Sequence, residues 1–265
     1  MIAMMGNKIK NRNSYDYNLE NYTQRMHSLE VFTTNYDLLF EEALERAKVP
    51  YFDGFVGSHE PFFDSTTVAN DGLPKRWVKL WKIHGSLGWE MVGNRIIRTG
   101  SRGSSGLIYP SERKYEESQK LPYQALFDRL RKFLEMPDTL LITCGFSFED
   151  NHISAVFEEA LAANPAASVF AFQFQKMEKE HALLALASRR SNLSAYCRDG
   201  GVFNCVQGQW NIGEAPTKTW PVIRPMFLKS QSPIEFSLGD FKALSRFFAM
   251  IKSDIELTVG TSMGA

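Results

Sequence analysis

Glycine is missing from one long stretch of this chain: none occurs between Gly6 and Gly54, although the sequence holds 18. Cysteine is scarce. Cys144, Cys197 and Cys205 make no C-x-x-C pair and no even disulfide framework, which favours a reducing compartment. No group of His and Cys has metal-ligand spacing, so no metal site is predicted. A charge excess of either sign is also lacking, with 30 Lys+Arg against 30 Asp+Glu. That balance argues against a phosphate-backbone binder, and no nucleic-acid partner is expected. No apolar run approaches the ~18 residues of a membrane span. The opening Met1-Ile2-Ala3-Met4-Met5 is too short for a secretory leader. These absences predict a cytoplasmic protein with no membrane association. What is present excludes global disorder: 44% hydrophobic residues, 23% charged residues, 20 Phe, 9 Tyr and 5 Trp. A length of 265 residues suffices for one large domain, or one domain with an appendage.

Residues 7–24 are polar and Asn-rich and read as an arm leading into the fold. Periodicity starts at Glu30-Val31-Phe32-Thr33, a β-branched and aromatic strand pattern. A helix pattern follows, with Leu39, Phe40, Ala43, Leu44 and Ala47 on one face. Asp37 is placed to accept from its first-turn amides, and Pro50 stops it. Residues 51–75, rich in Gly, Pro, Asp and Ser, read as a long, partly buried loop. Strands are expected over 77–83, 139–143, 168–174, 193–197 and 202–206, and a short extended segment over 107–110. Helices are expected from Tyr123 to Leu134, from Ile153 to Leu161 and over 181–190. This alternation predicts an α/β fold: a Rossmann-like three-layer arrangement with a mostly parallel sheet. The domain is expected over 1–206, as an arm (1–29) and a core (30–206). Residues 207–265 read as a C-terminal extension ending in a helix, with Phe241, Leu244, Phe248 and Ile251 facing inward.

Three strands end in small and polar residues: Thr33-Thr34-Asn35-Tyr36-Asp37, His84-Gly85-Ser86 and Cys144-Gly145-Phe146-Ser147. In open α/β sheets the carboxyl ends of parallel strands line the ligand crevice. His84 is the sharpest candidate, because an imidazole can take up a proton near neutral pH and Gly85 permits a tight turn. The alternative is a histidine that merely packs at a strand end. Asn35 could orient a water or a ribose hydroxyl, although Asn before a helix is commonly a turn former. Gly145, Phe146 and Ser147 form a strand-to-helix turn that could offer amides and a hydroxyl to phosphate. Cys197 and Cys205 could face each other across a hairpin, but reduced cysteines are the default.

Four segments carry a family resemblance: VFTTNYDLLFEEAL at 31–44, KIHGSLGW at 82–89, LIYPSERKY at 107–115 and LLITCGFSFEDNHI at 140–153. In this order and spacing they resemble the SIR2-like (sirtuin-related) family, in its bacterial antiphage-defence branch. The resemblance implies a Rossmann-like domain and NAD as the substrate. Asn35 and His84 would serve cleavage of the nicotinamide–ribose bond. Thr33, Thr34, Asp37, Gly85, Gly145, Phe146 and Ser147 would contact the dinucleotide. It also implies a homo-oligomer or a defence partner such as an ATPase. Two departures qualify it. The paired cysteines of the deacylating sirtuins' zinc module are absent, which favours NAD hydrolysis over protein deacylation. The glycine-rich word that precedes TTNYD in the family is also absent. The glycine gap therefore predicts an N-terminally truncated fold with an exposed strand edge. A non-catalytic remnant that binds NAD, ADP-ribose or a protein partner stands as the alternative to a hydrolase.

Overall fold

The computed structural model describes residues 2–5, 29–70, 72–93, 95–100, 122–214, 220–230 and 232–250. The polar arm over 7–24 and the extended segment over 107–110 lie outside them. The chain forms two compact units, Met1–Ile142 with Asn151–Ser168, and Thr143–Asp150 with Val169–Ala265.

In the first unit, strand β1 (Ile2–Met5) is followed by β2 (Glu30–Thr33), α1 (Leu39–Arg46), β3 (Tyr51–Phe52), β4 (Phe55–Val56), β5 (Phe62–Phe63) and α2 (Ser65–Ala69). Then come β6 (Val78–Lys82), β7 (Trp89–Val92), β8 (Arg95–Arg98), α3 (Tyr123–Glu135), β9 (Leu140–Cys144) and α4 (Asn151–Ala163). The main strands of this unit lie in the order β9-β1-β2-β6-β3. β6 runs parallel to both β2 and β3, with Val31 opposite Leu80 and Thr33 opposite Lys82. Every residue of β2 and β6 is buried, as expected for strands covered on both faces.

The period of two along β2 sorts its neighbours. Val31, with Val78 and Leu80, packs on one face against Phe40 and Leu44 of α1. Phe32 points the other way, edge-on to Phe133 of α3 at 5.7 Å. Helix, sheet and helix thus make three layers. Glu30 shares the α3 face, and its buried carboxylate accepts from Trp81 Nε1 at 2.7 Å and from Arg129 Nε at 2.8 Å. Lys79 Nζ lies 3.5 Å from it. A carboxylate can sit in this core only because donors surround it.

Three expectations are corrected here. Leu39 is 67% exposed and Ala43 and Ala47 are exposed, because the short α1 meets the sheet along a single row and gives its inner position 41 to a carboxylate. Residues 51–75 are not a loop: they hold β3, β4, β5 and α2. Asp64 caps α2 by accepting from the Thr66 and Thr67 amides. The strands are two residues long, too short to print a periodicity. β3 joins the main sheet, while β4 and β5 feed a second, antiparallel sheet, β4-β5-β8-β7, cored by Phe55 and Trp89 with ring centroids 4.9 Å apart. Finally, the edge expected beside β2 is covered, since β1 pairs with it antiparallel, Ile2 opposite Thr33.

The second unit takes over at Thr143, within β9. It holds β10 (Ser168–Phe172, from Val169 on), α5 (His181–Ala187), β11 (Leu193–Tyr196), β12 (Gly200–Phe203) and β13 (Val206–Gln209). After these come α6 (Trp220–Ile223), β14 (Leu228–Lys229), β15 (Glu235–Phe236) and a helix α7 over 241–250. β10 and β11 are parallel, joined through α5; β11, β12 and β13 are antiparallel. The single strand expected over 202–206 is broken into the end of β12, a two-residue turn and the start of β13, because Asn204 and Cys205 adopt positive φ, 47° and 65°, as tight hairpins require. Cys205 is exposed on that turn and Cys197 is buried. On α7, Leu244 is buried but Phe241 is 43% exposed, so the inward row is narrower than its periodicity predicts. The segment before α7 crosses β10 closely: a side chain at Gly239 would meet Gln173 O at 2.1 Å.

Candidate functional site

The ladder between β2 and β6 continues past both strands. Ile83 N donates to Thr33 O at 2.9 Å, and Leu87 N to Tyr36 O at 2.9 Å. Thr33 lies opposite Lys82, and Asn35 and His84 each stand two residues beyond those strand ends, at the same end of the two parallel strands. Two segments 49 residues apart in sequence therefore deliver an amide and an imidazole to one strand-end ledge. Asn35 is exposed and His84 half-buried, so both can meet a ligand.

Local chemistry shapes each side. Thr33 Oγ1 accepts from Asn35 N at 3.1 Å, bending the chain out of the strand. Thr34 is half-buried. Asp37 Oδ1 accepts from Leu39 N at 3.1 Å, a use at the start of α1 that holds the turn. On the β6 side, Gly85 N donates to Lys82 O at 3.0 Å with φ of +90°, a conformation that glycine adopts without strain. Ser86 is buried, its hydroxyl 3.5 Å from Tyr36 O.

Below the ledge is a pair that sequence reading missed. Lys82, 1% exposed, donates from Nζ to Asp37 O and lies 3.1 Å from Glu41 Oε1. Burial pushes the Glu41 carboxyl above its ordinary range, while Lys82 pulls it back down. The signal was present but silent: a lysine inside a strand and a glutamate on a helix both read as surface residues until the register faces them together.

The Gly145-Phe146-Ser147 turn belongs to the second unit. Gly145 is exposed at φ +67°, its amide donating to Phe172 O at 3.1 Å. Phe146 is buried, with its ring centroid 4.7 Å from that of Phe148, and its carbonyl accepts from Gln173 Nε2. Ser147 is exposed, and its hydroxyl accepts from Glu149 N at 3.4 Å. Of the residues expected to bind a dinucleotide, Thr33, Thr34, Asn35, Asp37, His84 and Gly85 thus come together in the first unit, and the remaining three form a separate turn.

The same second unit holds another group that the sequence did not single out. Glu180, 5% exposed, has its carboxyl pushed up to about 7, by burial first and then by the charge of Glu149. Its Oε2 has no hydrogen-bond partner. Burial also raises the thiols of Cys144 to about 11 and Cys197 to about 12. Among the described residues, no cluster of three His, Cys, Asp or Glu could hold a metal ion. No helix among them is long and apolar enough to cross a membrane.

A search of curated proteins finds no match to this chain. Among protein families, one described as a SIR2-like domain matches residues 29–193. That span begins one residue before β2 and contains both strand ends of the ledge as well as the Gly145 turn. The mixed α/β architecture, with its parallel strands layered between helices, is that of a Rossmann-like SIR2-like domain. The chain belongs to the SIR2-like family.

Proposed function

We propose that this protein hydrolyses NAD at the nicotinamide–ribose bond, releasing nicotinamide and ADP-ribose, in the setting of bacterial antiphage defence. The observation that supports the reading is that Asn35 and His84 both follow directly on the carboxyl ends of the adjacent parallel strands β2 and β6. In such sheets the crevice outside the strand ends is where nucleotides bind. The SIR2-like assignment makes NAD the dinucleotide to expect.

Each residue has a task that its chemistry suits. The Asn35 side chain carries both donors and an acceptor, so it can hold the ribose or the incoming water without adding charge beside a cationic substrate. As nicotinamide departs, positive charge develops on the ribose and a water attacks the same carbon. His84 takes the proton from that water, or from a ribose hydroxyl, and returns it to solvent. Thr33 and Thr34 would lie near the ribose. The proposal includes a cytoplasmic setting and assembly as a homo-oligomer or with a second defence component such as an ATPase.

The test is recombinant protein incubated with NAD and analysed by mass spectrometry. Nicotinamide and ADP-ribose should appear, and His84→Ala should slow their release by about 10²-fold or more. One observation favours a second reading, a non-catalytic binder of NAD or ADP-ribose. One neighbour of β2 is the antiparallel strand Ile2–Met5, and no glycine lies between Gly6 and Gly54 to build a phosphate loop between β1 and β2. Calorimetric titration with ADP-ribose separates the two readings. Binding without nicotinamide release would replace the hydrolase by the binder.

A further inference from the structure

Lys82 is a costly residue to place where it is. Its side chain is 1% exposed, and burying an ammonium ion is unfavourable unless its donors are taken up. Two groups take them up. One is the backbone carbonyl of Asp37, the last residue of the turn that carries Asn35. The other is Glu41, in the first turn of α1. Lys82 itself lies on β6 two residues before His84 and opposite Thr33. One ammonium group therefore ties the Asn35 side of the ledge to the strand that delivers His84.

Other hydrogen bonds on that side have different reaches. Asn35 N to Thr33 Oγ1 and Leu39 N to Asp37 Oδ1 are contacts within the turn. Across to the β6 side, the Leu87 amide reaches Tyr36 O at 2.9 Å, and the Ser86 hydroxyl is 3.5 Å from the same carbonyl. Neither reaches the C-terminal end of the turn, where the chain passes into α1. A charge-assisted bond from a buried lysine to that carbonyl is stronger than these neutral ones. It fixes where the turn ends, and so where Asn35 projects.

We propose that Lys82 is a positioning residue for the reaction: its ammonium group, balanced by Glu41, holds the Asn35–Asp37 turn in register with His84. This rests on the hydrolase reading, in which a side chain displaced by about 1 Å can cost on the order of 10²-fold in rate. A bland role is the competing account, in which the ion pair merely helps α1 to pack.

A double-variant comparison separates the two. Lys82→Met alone leaves Glu41 buried without its counter-charge, a change that destabilises the fold and confounds the activity readout. Lys82→Met with Glu41→Gln removes both charges and relieves that penalty. We expect the double variant to melt within a few degrees of the wild type. It should nevertheless release nicotinamide at least tenfold more slowly in kcat, with KM changed less than threefold. Hydrogen exchange at the Leu39 and Leu87 amides, which report the two ends of the turn, should rise at least tenfold. A double variant that is stable and keeps wild-type kcat and wild-type exchange overturns the proposal. A double variant that melts far below the wild type also overturns it, because the pair would then be mainly structural. Should the wild type release no nicotinamide, the hydrolase reading falls. Exchange at Leu39 and Leu87 then decides alone whether Lys82 sets the turn.

Discussion

Replacing Glu180 by Gln should change how the stability of this protein depends on pH, more than it changes stability at any one pH. The Glu180 carboxyl is buried, with one oxygen lacking a partner, and in the folded protein it titrates near 7 instead of 4.5. Below about pH 4.5 it is protonated in both the folded and unfolded chains and has no pH effect. Between 4.5 and about 7 the unfolded chain releases the proton and the folded one keeps it. Folding stability therefore falls as pH rises through that window and stays level above it. A displacement from 4.5 to about 7 corresponds to about 3 kcal/mol in all. The Gln amide brings its own buried donors, which can cost about 1–3 kcal/mol, but that cost does not vary with pH. Urea unfolding followed by tryptophan fluorescence, at half-unit steps from pH 4.5 to 8.5, gives both curves. The wild type minus variant difference should shift by about 3 kcal/mol against the wild type between pH 4.5 and 7.5. Glu149, whose charge raises the Glu180 carboxyl further, is present in both proteins. Parallel curves would refute the reasoning, since they would mean that Glu180 is solvated and titrates ordinarily.

Two further outcomes follow from the core. Glu30→Ala removes the carboxylate shared by Arg129, Trp81 and Lys79 and should destabilise the protein by about 3–5 kcal/mol, read as a lower urea midpoint. A loss under 1 kcal/mol would mean that these cations find other compensation. In native protein at pH 8 a thiol reagent should label Cys205 rapidly and leave Cys144 and Cys197 untouched, because both are buried and their thiols are held at about 11 and about 12. Peptide mapping after a timed quench reads this directly, and early labelling of Cys144 would show that the segment at Leu238 and Gly239, whose carbonyls lie beside its Sγ, opens readily.

The motifs were legible because their chemistry is local. A β-branched run that ends in Thr-Thr-Asn, or a strand that ends in His-Gly-Ser, announces a strand end carrying polar groups, whatever it packs against. The apolar rows of α3 and α4 were legible for a similar reason. In α4, Ile153, Val156, Phe157, Ala160 and Leu161 are the buried residues, the same five that the helical period selects. On α3 the period missed Arg129, which is buried only because Glu30 waits for it 99 positions earlier in sequence. No local pattern can mark a residue whose burial depends on so distant a counter-charge.

The main alternation of strands and helices and the family were legible in the sequence alone, since each rests on short-range pattern and residue type. Tertiary structure decided the rest. Parallel pairing of β2 with β6 brought the strand ends that carry Asn35 and His84 side by side, because strand order and register are properties of two strands and not of either one. The same register brought Lys82 under the Asn35 turn, facing Glu41. It was also the fold that set Ile2–Met5 antiparallel against β2, covering the edge that the glycine-free stretch had seemed to leave bare. Backbone groups at a strand edge require hydrogen bonds from whatever segment can reach them, and that choice is made in space.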